Sequence, residues 1–149
     1  MRLSVIVPAR DEEGSLGPTV QALTARLAEA GIDHEIVVVD DGSADATAHE
    51  IARLAEAYPE VRGVRSPYPG GFGFAVRAGL DVYTGDAVAI VMADGSDHPD
   101  DLVAYHRLLE AGYACAFGSR FMAGGGARDY TTGPRGTRPR TSRSTRSGR

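Results

Sequence analysis

Lysine and tryptophan are absent from this 149-residue chain, and cysteine occurs once. All 16 basic residues are therefore Arg, a compositional habit rather than a chemical signal. The single Cys115 excludes an internal disulfide and a Cys-based zinc site, and it fits a reducing, cytoplasmic setting. No run of about 18 apolar residues occurs, so no membrane-spanning helix is expected. The N-terminus lacks a basic stretch followed by a long apolar core, so no signal peptide is read there. Two nucleotide signatures are also missing. Gly71-x-Gly73 would need Gly at position 76 to make a dinucleotide fingerprint, and Val76 stands there. No Gly-Lys-Ser/Thr of a P-loop follows. Nothing suggests a Ser-His-Asp or Cys-His nucleophile system, and the Gly-rich basic signature of nucleotidyltransferases is lacking near the N-terminus.

What remains is about one domain's worth of chain, with 42% apolar residues to build a core. The net charge of −4 is unevenly spread. Residues 1–127 carry 19 acidic and 9 basic side chains, whereas residues 128–149 carry 1 and 7. Residues 3–8, LSVIVP, are a nearly continuous apolar run of the kind buried on both faces of a parallel sheet. Leu16, Val20, Leu23 and Leu27 fall at spacings of four, three and four, one stripe of a helix. Gly31 stops it. HEIVVV (34–39) predicts a second strand, and Ser43 is the expected N-cap of a helix whose inner face is Ile51, Leu54 and Tyr58. VRGVR (61–65) predicts a short third strand, SPYPGGFG a loop, and FAVRAGLDVY (74–83) a helix. DAVAIVM (86–92) predicts a fourth strand. Pro99 suits the first position of a further helix, with Asp100 and Asp101 in its first turn and Leu102, Tyr105 and Leu109 along it. YACAF (113–117) predicts a fifth strand with Cys115 in the core.

Alternating buried-type strands and helices predict an α/β domain with a mainly parallel sheet. Ligands of such sheets bind beyond the carboxyl ends of the strands, and the polar clusters of this chain fall there. Pro8-Ala9-Arg10-Asp11-Glu12 follows the first strand, Asp40-Asp41-Gly42-Ser43 the second, Asp94 and Asp97 the fourth, and Gly118-Ser119-Arg120 the fifth. From Tyr130 the pattern vanishes. TTGPRGTRPRTSRSTRSGR contains no Val, Ile, Leu or aromatic residue, so residues 128–149 are expected to be a disordered basic tail. Such a tail is a solvated end or an arm for anionic surfaces, with no motif for specific nucleic acid.

Each cluster has a functional and a structural interpretation. Asp94 and Asp97 can ligate Mg2+ or Mn2+ through hard carboxylate oxygens, with diphosphate and water completing the shell, and His98 can join around Mn2+. Alternatively Asp97 or His98 simply caps the helix that begins at Pro99. A carboxylate at Asp40 or Asp41 can accept from a ribose or a base N–H, although Asp-Asp-Gly-Ser is equally good turn chemistry. Gly70-Gly71-Phe72-Gly73 can aim backbone N–H groups at a phosphate. His34, His49 and His106 receive no role; His34 is expected at the surface.

Five ordered segments together carry a resemblance: SVIVPARDEEGSL, VVVDDGSADAT, GFGFAVRAGL, VMADGSDHPDDL and GSRF. Their order resembles family-2 glycosyltransferases of the GT-A fold, in particular polyprenyl-phosphate (dolichol-phosphate) mannosyl- and glucosyltransferases. The resemblance runs from about Leu3 to Tyr130. It implies a Rossmann-like fold and a metal-dependent transfer from a GDP- or UDP-linked sugar to a lipid phosphate, with peripheral contact at the cytoplasmic membrane face. Pro8, Arg10, Glu12 and Gly73 are implied to meet the nucleotide sugar. Asp40 would contact base or ribose with Asp41 beside it, Asp94 and Asp97 would bind the cation and diphosphate, and Arg120 would lie near the phosphates. A non-catalytic nucleotide-binding remnant is the alternative.

Two departures stand out. The family usually reads Met-Asp-Ala-Asp-x-Gln-His-Pro where this chain has Met92-Ala93-Asp94-Gly95-Ser96-Asp97-His98-Pro99. The usual Asp positions hold Ala93 and Gly95, and an Asp-x-x-Asp pair replaces Asp-x-Asp. Family members also continue past the position of Tyr130 with amphipathic helices that close the acceptor side. The abrupt loss of pattern here is read as a truncated or frameshifted end.

Overall fold

The structure is a computed structural model that describes residues 1–118. Its frame is four parallel strands: β1 (Leu3–Ala9), β2 (His34–Asp40), β3 (Val61–Arg65) and β4 (Ala87–Ile90). They lie in the order β3-β2-β1-β4, so the chain steps outward from β1 to β3 and then returns to the other side of β1. Right-handed crossovers dictate which face each connecting helix takes. The outward steps place α1 (Leu16–Glu29) and α2 (Thr47–Ala57) on one face, joined there by α4 (Pro99–Glu110). The return step places α3 (Phe72–Leu80) on the opposite face.

Strand alternation sorts the core accordingly. Val5, Val7, Ile36 and Val38 pack with the α1 stripe Leu16, Val20, Leu23 and Leu27, with Ile51 and Leu54, and with Leu102 and Val103. Ile6, Val37 and Val39 face Ala75 and Ala78 of α3. Every residue of the expected α1 stripe is at most 1% exposed, and each such Leu stabilises the fold by about 1.5–3 kcal/mol. The α3 interface is made of small residues. A Cβ at Gly79 would fall 2.5 Å from Ile6 Cγ2, so α3 sits close against β1.

Several expectations need correction. YACAF forms no strand: Tyr113 and Phe117 are exposed, and so is Cys115, which is not core. β4 has no second neighbour among the described residues, and an apolar run becomes a strand only where a partner and covering faces exist. β4 itself is shorter than expected. Val91 N–H still donates to Ile6 O, but Met92 N–H turns to the Asp97 carboxylate and leaves the ladder. Ser43 is not an N-cap, because α2 starts four residues later. Asp45 supplies the capping chemistry instead, accepting from Thr47 N–H at 2.9 Å. In α4, the buried positions are Leu102, Val103 and His106, while Tyr105 and Leu109 are only half-buried. His106 Nε2 lies 3.1 Å from Met1 O and holds the N-terminus. His34 is half-buried rather than at the surface. No helix among the described residues is long and apolar enough to cross a membrane. The expected tail and Arg120 lie outside the described residues.

Candidate functional site

Sheet polarity gathers the loops after β1, β2 and β4 at one end, on either side of the point where strand order reverses. Crevices in open parallel sheets form at such points.

The loop after β2 begins with two buried carboxylates. Asp40 and Asp41 are 8% and 7% exposed. Asp40 Oδ1 accepts from Ser43 N–H at 3.0 Å, three residues on, because the short Asp side chain reaches nearby backbone. Asp41 continues the sheet ladder, its N–H donating to Ala9 O at 2.9 Å. Its Oδ2 accepts from Gly71 N–H at 2.7 Å, and Arg10 Nη1 lies 3.9 Å away. Its Oδ1 is buried and has no hydrogen-bond partner among the described residues. Burying an acceptor unpaired costs about 1–3 kcal/mol, so this oxygen is set up to receive a donor.

Gly70 and Gly71 meet this carboxylate from the other side. A Cβ at Gly70 would lie 2.8 Å from Arg10 Nη1, so the guanidinium rests over bare backbone. Gly71, with φ of 146°, precedes α3. Its N–H is already taken by Asp41, so this first donor of the glycine loop serves an internal carboxylate. Gly73 is exposed in the first turn of α3. Pro8 is buried in β1 opposite Val39. Glu12 is half-buried; its N–H donates to Thr47 Oγ1, and its Oε2 accepts from Ser15 Oγ at 2.6 Å.

Asp94 and Asp97 line one cavity of about 280 Å³ with Ser15 and Thr19 at the start of α1. Thr19 Oγ1 lies 2.8 Å from Ser15 O and 3.0 Å from Ala93 O, so its one proton is shared between its own helix and the loop. Asp97 Oδ2 accepts from Met92 N–H at 2.8 Å, and Asp94 Oδ1 accepts from Ser96 N–H at 2.9 Å. Gly95, at φ of 74°, allows the tight turn between them. His98 is the cap of α4: its Nδ1 accepts from Asp100 N–H at 3.3 Å. The capping interpretation therefore holds at His98, and Asp94 and Asp97 stay candidates for a cation. The Tyr105 phenol is held above its ordinary value by burial and by the charges of Asp101 and Asp97. Among the described residues no group of three or more His, Cys, Asp or Glu is placed to hold a metal ion. Two hard carboxylates in one cavity suit Mg2+ or Mn2+ only where diphosphate and water supply the remaining oxygens.

The structure thus brings Arg10, Asp41 and the glycine loop together, and separately pairs Asp94 with Asp97. Sequence reasoning missed the contacts that tie the first two loops. Asp11 N–H donates to Ser43 Oγ, Glu13 N–H to Asp45 Oδ2, and Ala44 N–H back to Asp11 Oδ1. Asp45 is held below the usual carboxylate range by hydrogen bonds from Thr47 and from Glu13 N–H. The available signal was the density of Asp, Ser and Thr in both loops, residues that bond nearby backbone.

Comparison with known proteins adds the following. The family model Glycosyl transferase family 2 matches residues 4–148. The chain is 34% identical over 135 residues to a dolichol-phosphate mannosyltransferase of Pyrococcus furiosus, covering 87% of this chain and 36% of that protein. It is 35% identical over 133 residues to a polyprenol monophosphomannose synthase of Mycolicibacterium smegmatis, covering 87% and 49%. The chain therefore spans less than half the length of these relatives. Among solved structures, a mannosyltransferase of Pyrobaculum calidifontis in complex with GDP-Man and Mn2+ matches 72% of this chain and 32% of its own, at TM-score 0.63 and 27% identity. A glucosyl-3-phosphoglycerate synthase of Mycobacterium tuberculosis in complex with UDP matches 74% and 40%, at TM-score 0.60 and 27% identity. The parallel sheet and its helices correspond to part of the GT-A glycosyltransferase fold.

Proposed function

Because the chain belongs to glycosyl transferase family 2, we propose that residues 1–127 bind the nucleotide sugar of a hexosyl transfer to a polyprenyl phosphate. The observation that carries this reading is the buried, unpartnered Oδ1 of Asp41, set between Arg10 and Gly71 at the carboxyl end of β2. A base N–H or ribose hydroxyl would complete it. Asp40 has one oxygen committed to its own turn, so Asp41 takes the role that the resemblance assigned first to Asp40. On the resemblance, Pro8 in β1, Arg10 and Glu12 in the loop after it, and Gly73 in the first turn of α3 would meet the nucleotide sugar.

The relatives' names speak of dolichol phosphate and polyprenol, and the two neighbours were solved with GDP-Man and UDP. Either base is accommodated by the proposal. In the reaction, an acceptor phosphate oxygen bonds to the anomeric carbon as the bond from that carbon to the donor diphosphate breaks. The acceptor is already ionised at neutral pH, so the chain need supply no strong base. Asp94 and Asp97 would hold Mg2+ or Mn2+, which neutralises charge on the departing diphosphate. Arg120 is assigned to the phosphates of donor or acceptor, on the resemblance alone. Peripheral contact at the cytoplasmic membrane face is part of the same reading, because a lipid phosphate is presented there. The seven Arg of residues 128–149 supply charge for anionic surfaces.

A second reading is nucleotide binding without transfer, favoured because no group of three or more His, Cys, Asp or Glu among the described residues is placed to hold a metal ion. Calorimetric titration with UDP or GDP in Mn2+ tests the shared claim, and heat from neither would end both readings. Transfer from radiolabelled GDP-mannose or UDP-glucose to polyprenyl phosphate then separates them.

A further inference from the structure

Asp11 is the only non-glycine residue with positive φ among the described residues, at 54°. Left-handed backbone is costly for most side chains, and it persists where surroundings over-determine it. Here they do. Asp11 N–H donates to Ser43 Oγ at 3.1 Å, and Ala44 N–H donates to Asp11 Oδ1 at 2.7 Å. The next two amides follow the same direction: Glu12 N–H donates to Thr47 Oγ1 at 2.9 Å and Glu13 N–H to Asp45 Oδ2 at 3.1 Å. Three successive N–H groups of the β1–α1 loop therefore bind side-chain oxygens of the β2–α2 loop and of Thr47 at the start of α2, and Asp11 returns one bond. Ser43 is in turn tied to Asp40, whose neighbour is Asp41.

This residue is exposed and contributes nothing to the core. Its effect is directional. The chain leaves β1 at Ala9 and must turn at Asp11 to run across the β2–α2 loop. That turn fixes where Arg10 starts, hence its guanidinium over Gly70 and beside Asp41. We infer that Asp11 is a positioning residue for the donor site: its left-handed backbone and its carboxylate together clasp the first two loops and set the Arg10–Asp41–Gly71 geometry. The inference rests on the donor-site reading for its functional part, and on geometry alone for its structural part.

The residue type explains itself on this account. Gly would accept the backbone angle but offers no oxygen to Ala44 N–H. Ala offers neither property. Asn offers both, since its amide oxygen accepts and Asn tolerates left-handed backbone. A role through charge, whether on a cation or on the diphosphate, would instead make Asn as poor as Ala.

The test compares the chain with Asp11→Asn, Asp11→Gly and Asp11→Ala. UDP and GDP are titrated calorimetrically in Mn2+, amide hydrogen exchange is followed at Gly71 in the ligand-free proteins, and each protein is melted. Asp11→Asn should bind within about threefold of the parent, Asp11→Gly about tenfold more weakly and Asp11→Ala more weakly still, the scale of one lost backbone hydrogen bond. Gly71 N–H, bonded to Asp41 and far from position 11 in sequence, should exchange about tenfold faster in the Gly and Ala variants and unchanged in Asn. A merely structural role would lower the melting temperature without this pattern. Equal Gly71 exchange in all four proteins overturns the clasp, as does Asn binding as poorly as Ala. If the parent binds neither nucleotide, the donor reading falls, and the Gly71 exchange still decides the clasp.

Discussion

Two buried carboxylates bracket the same strand and are treated in opposite ways. Glu35, near the start of β2, is 6% exposed, and Asp41, just past its end, is 7% exposed. Glu35 Oε1 accepts from Ser4 Oγ at 2.6 Å and from both the N–H and the hydroxyl of Thr84, while Arg62 stands 3.7 Å from Oε2. Ser4 Oγ also accepts from Gly85 N–H. Burial pushes the Glu35 carboxyl up, but the hydrogen bonds from Ser4 and Thr84 and the charge of Arg62 together outweigh it, leaving the carboxyl below its usual range. Asp41 has Gly71 N–H and, at 3.9 Å, Arg10 on one oxygen, and among the described residues no hydrogen-bond partner on the other. The amino end of the sheet uses its carboxylate to close the structure. The carboxyl end holds one in reserve, in keeping with the proposed binding role.

The sharpest way to test this contrast is to remove each group in turn. Glu35→Ala strands the buried hydroxyl of Ser4 and takes the acceptor from Thr84 and the partner charge from Arg62, and should cost about 3 kcal/mol. In a melt this is a fall of about 10 °C, with nucleotide affinity of the folded protein intact. Asp41→Asn should do the reverse. Affinity for UDP or GDP falls by about 10- to 100-fold, since bonds to charged groups are the strong ones. Its melting temperature should stay level or rise, because a buried charge with one unpaired oxygen has been neutralised. Equal effects on stability would erase the distinction between the two carboxylates.

A smaller effect concerns the cation. Asp94→Asn with Asp97→Asn should abolish the increment in nucleotide affinity that Mn2+ gives, while the metal-free affinity stays within about threefold. Full retention of the Mn2+ increment would refute the assignment of these two residues. The smallest effect is on pH. The folded Glu35 carboxyl titrates below its unfolded value, so the unfolded chain binds the proton first as pH falls. The stability from Glu35 is present above the unfolded value of about 4.3 and is lost as pH drops through the folded one. Urea melts at pH 7 and at pH about 3.5 should show a shallower loss for Glu35→Gln than for the parent.

Much of the frame was legible because burial imposes a period. LSVIVP and HEIVVV suited strands covered on both faces, and the α1 stripe is buried to its last Leu. Pro99 announced α4 because its missing N–H is tolerated only at a helix start. YACAF misled because apolar content describes a need for cover, and no partner lies beside it among the described residues. Ser43 misled because an N-cap residue and a loop-to-loop acceptor look alike in sequence. The site was half visible. Carboxylates at strand ends are a one-dimensional signal, but which oxygen of Asp40 or Asp41 stays unpaired depends on Gly71, thirty residues away. The clasp at Asp11 depends on a backbone angle that sequence only permits.

The close seat of α3 on β1 has a consequence for that open oxygen. Ala75, Ala78 and Gly79 act as a spacer of minimum thickness beneath the helix that begins just after Gly71. Adding one methyl at Gly79 would meet Ile6 before it met anything soft, and the helix would have to lift as a lever. Its far end carries the N–H that steadies Asp41. If the proposed donor site holds, a core residue with no polar atom in its side chain would thereby set the reach of that N–H, and drift at position 79 would retune nucleotide affinity without altering any residue proposed to touch the ligand.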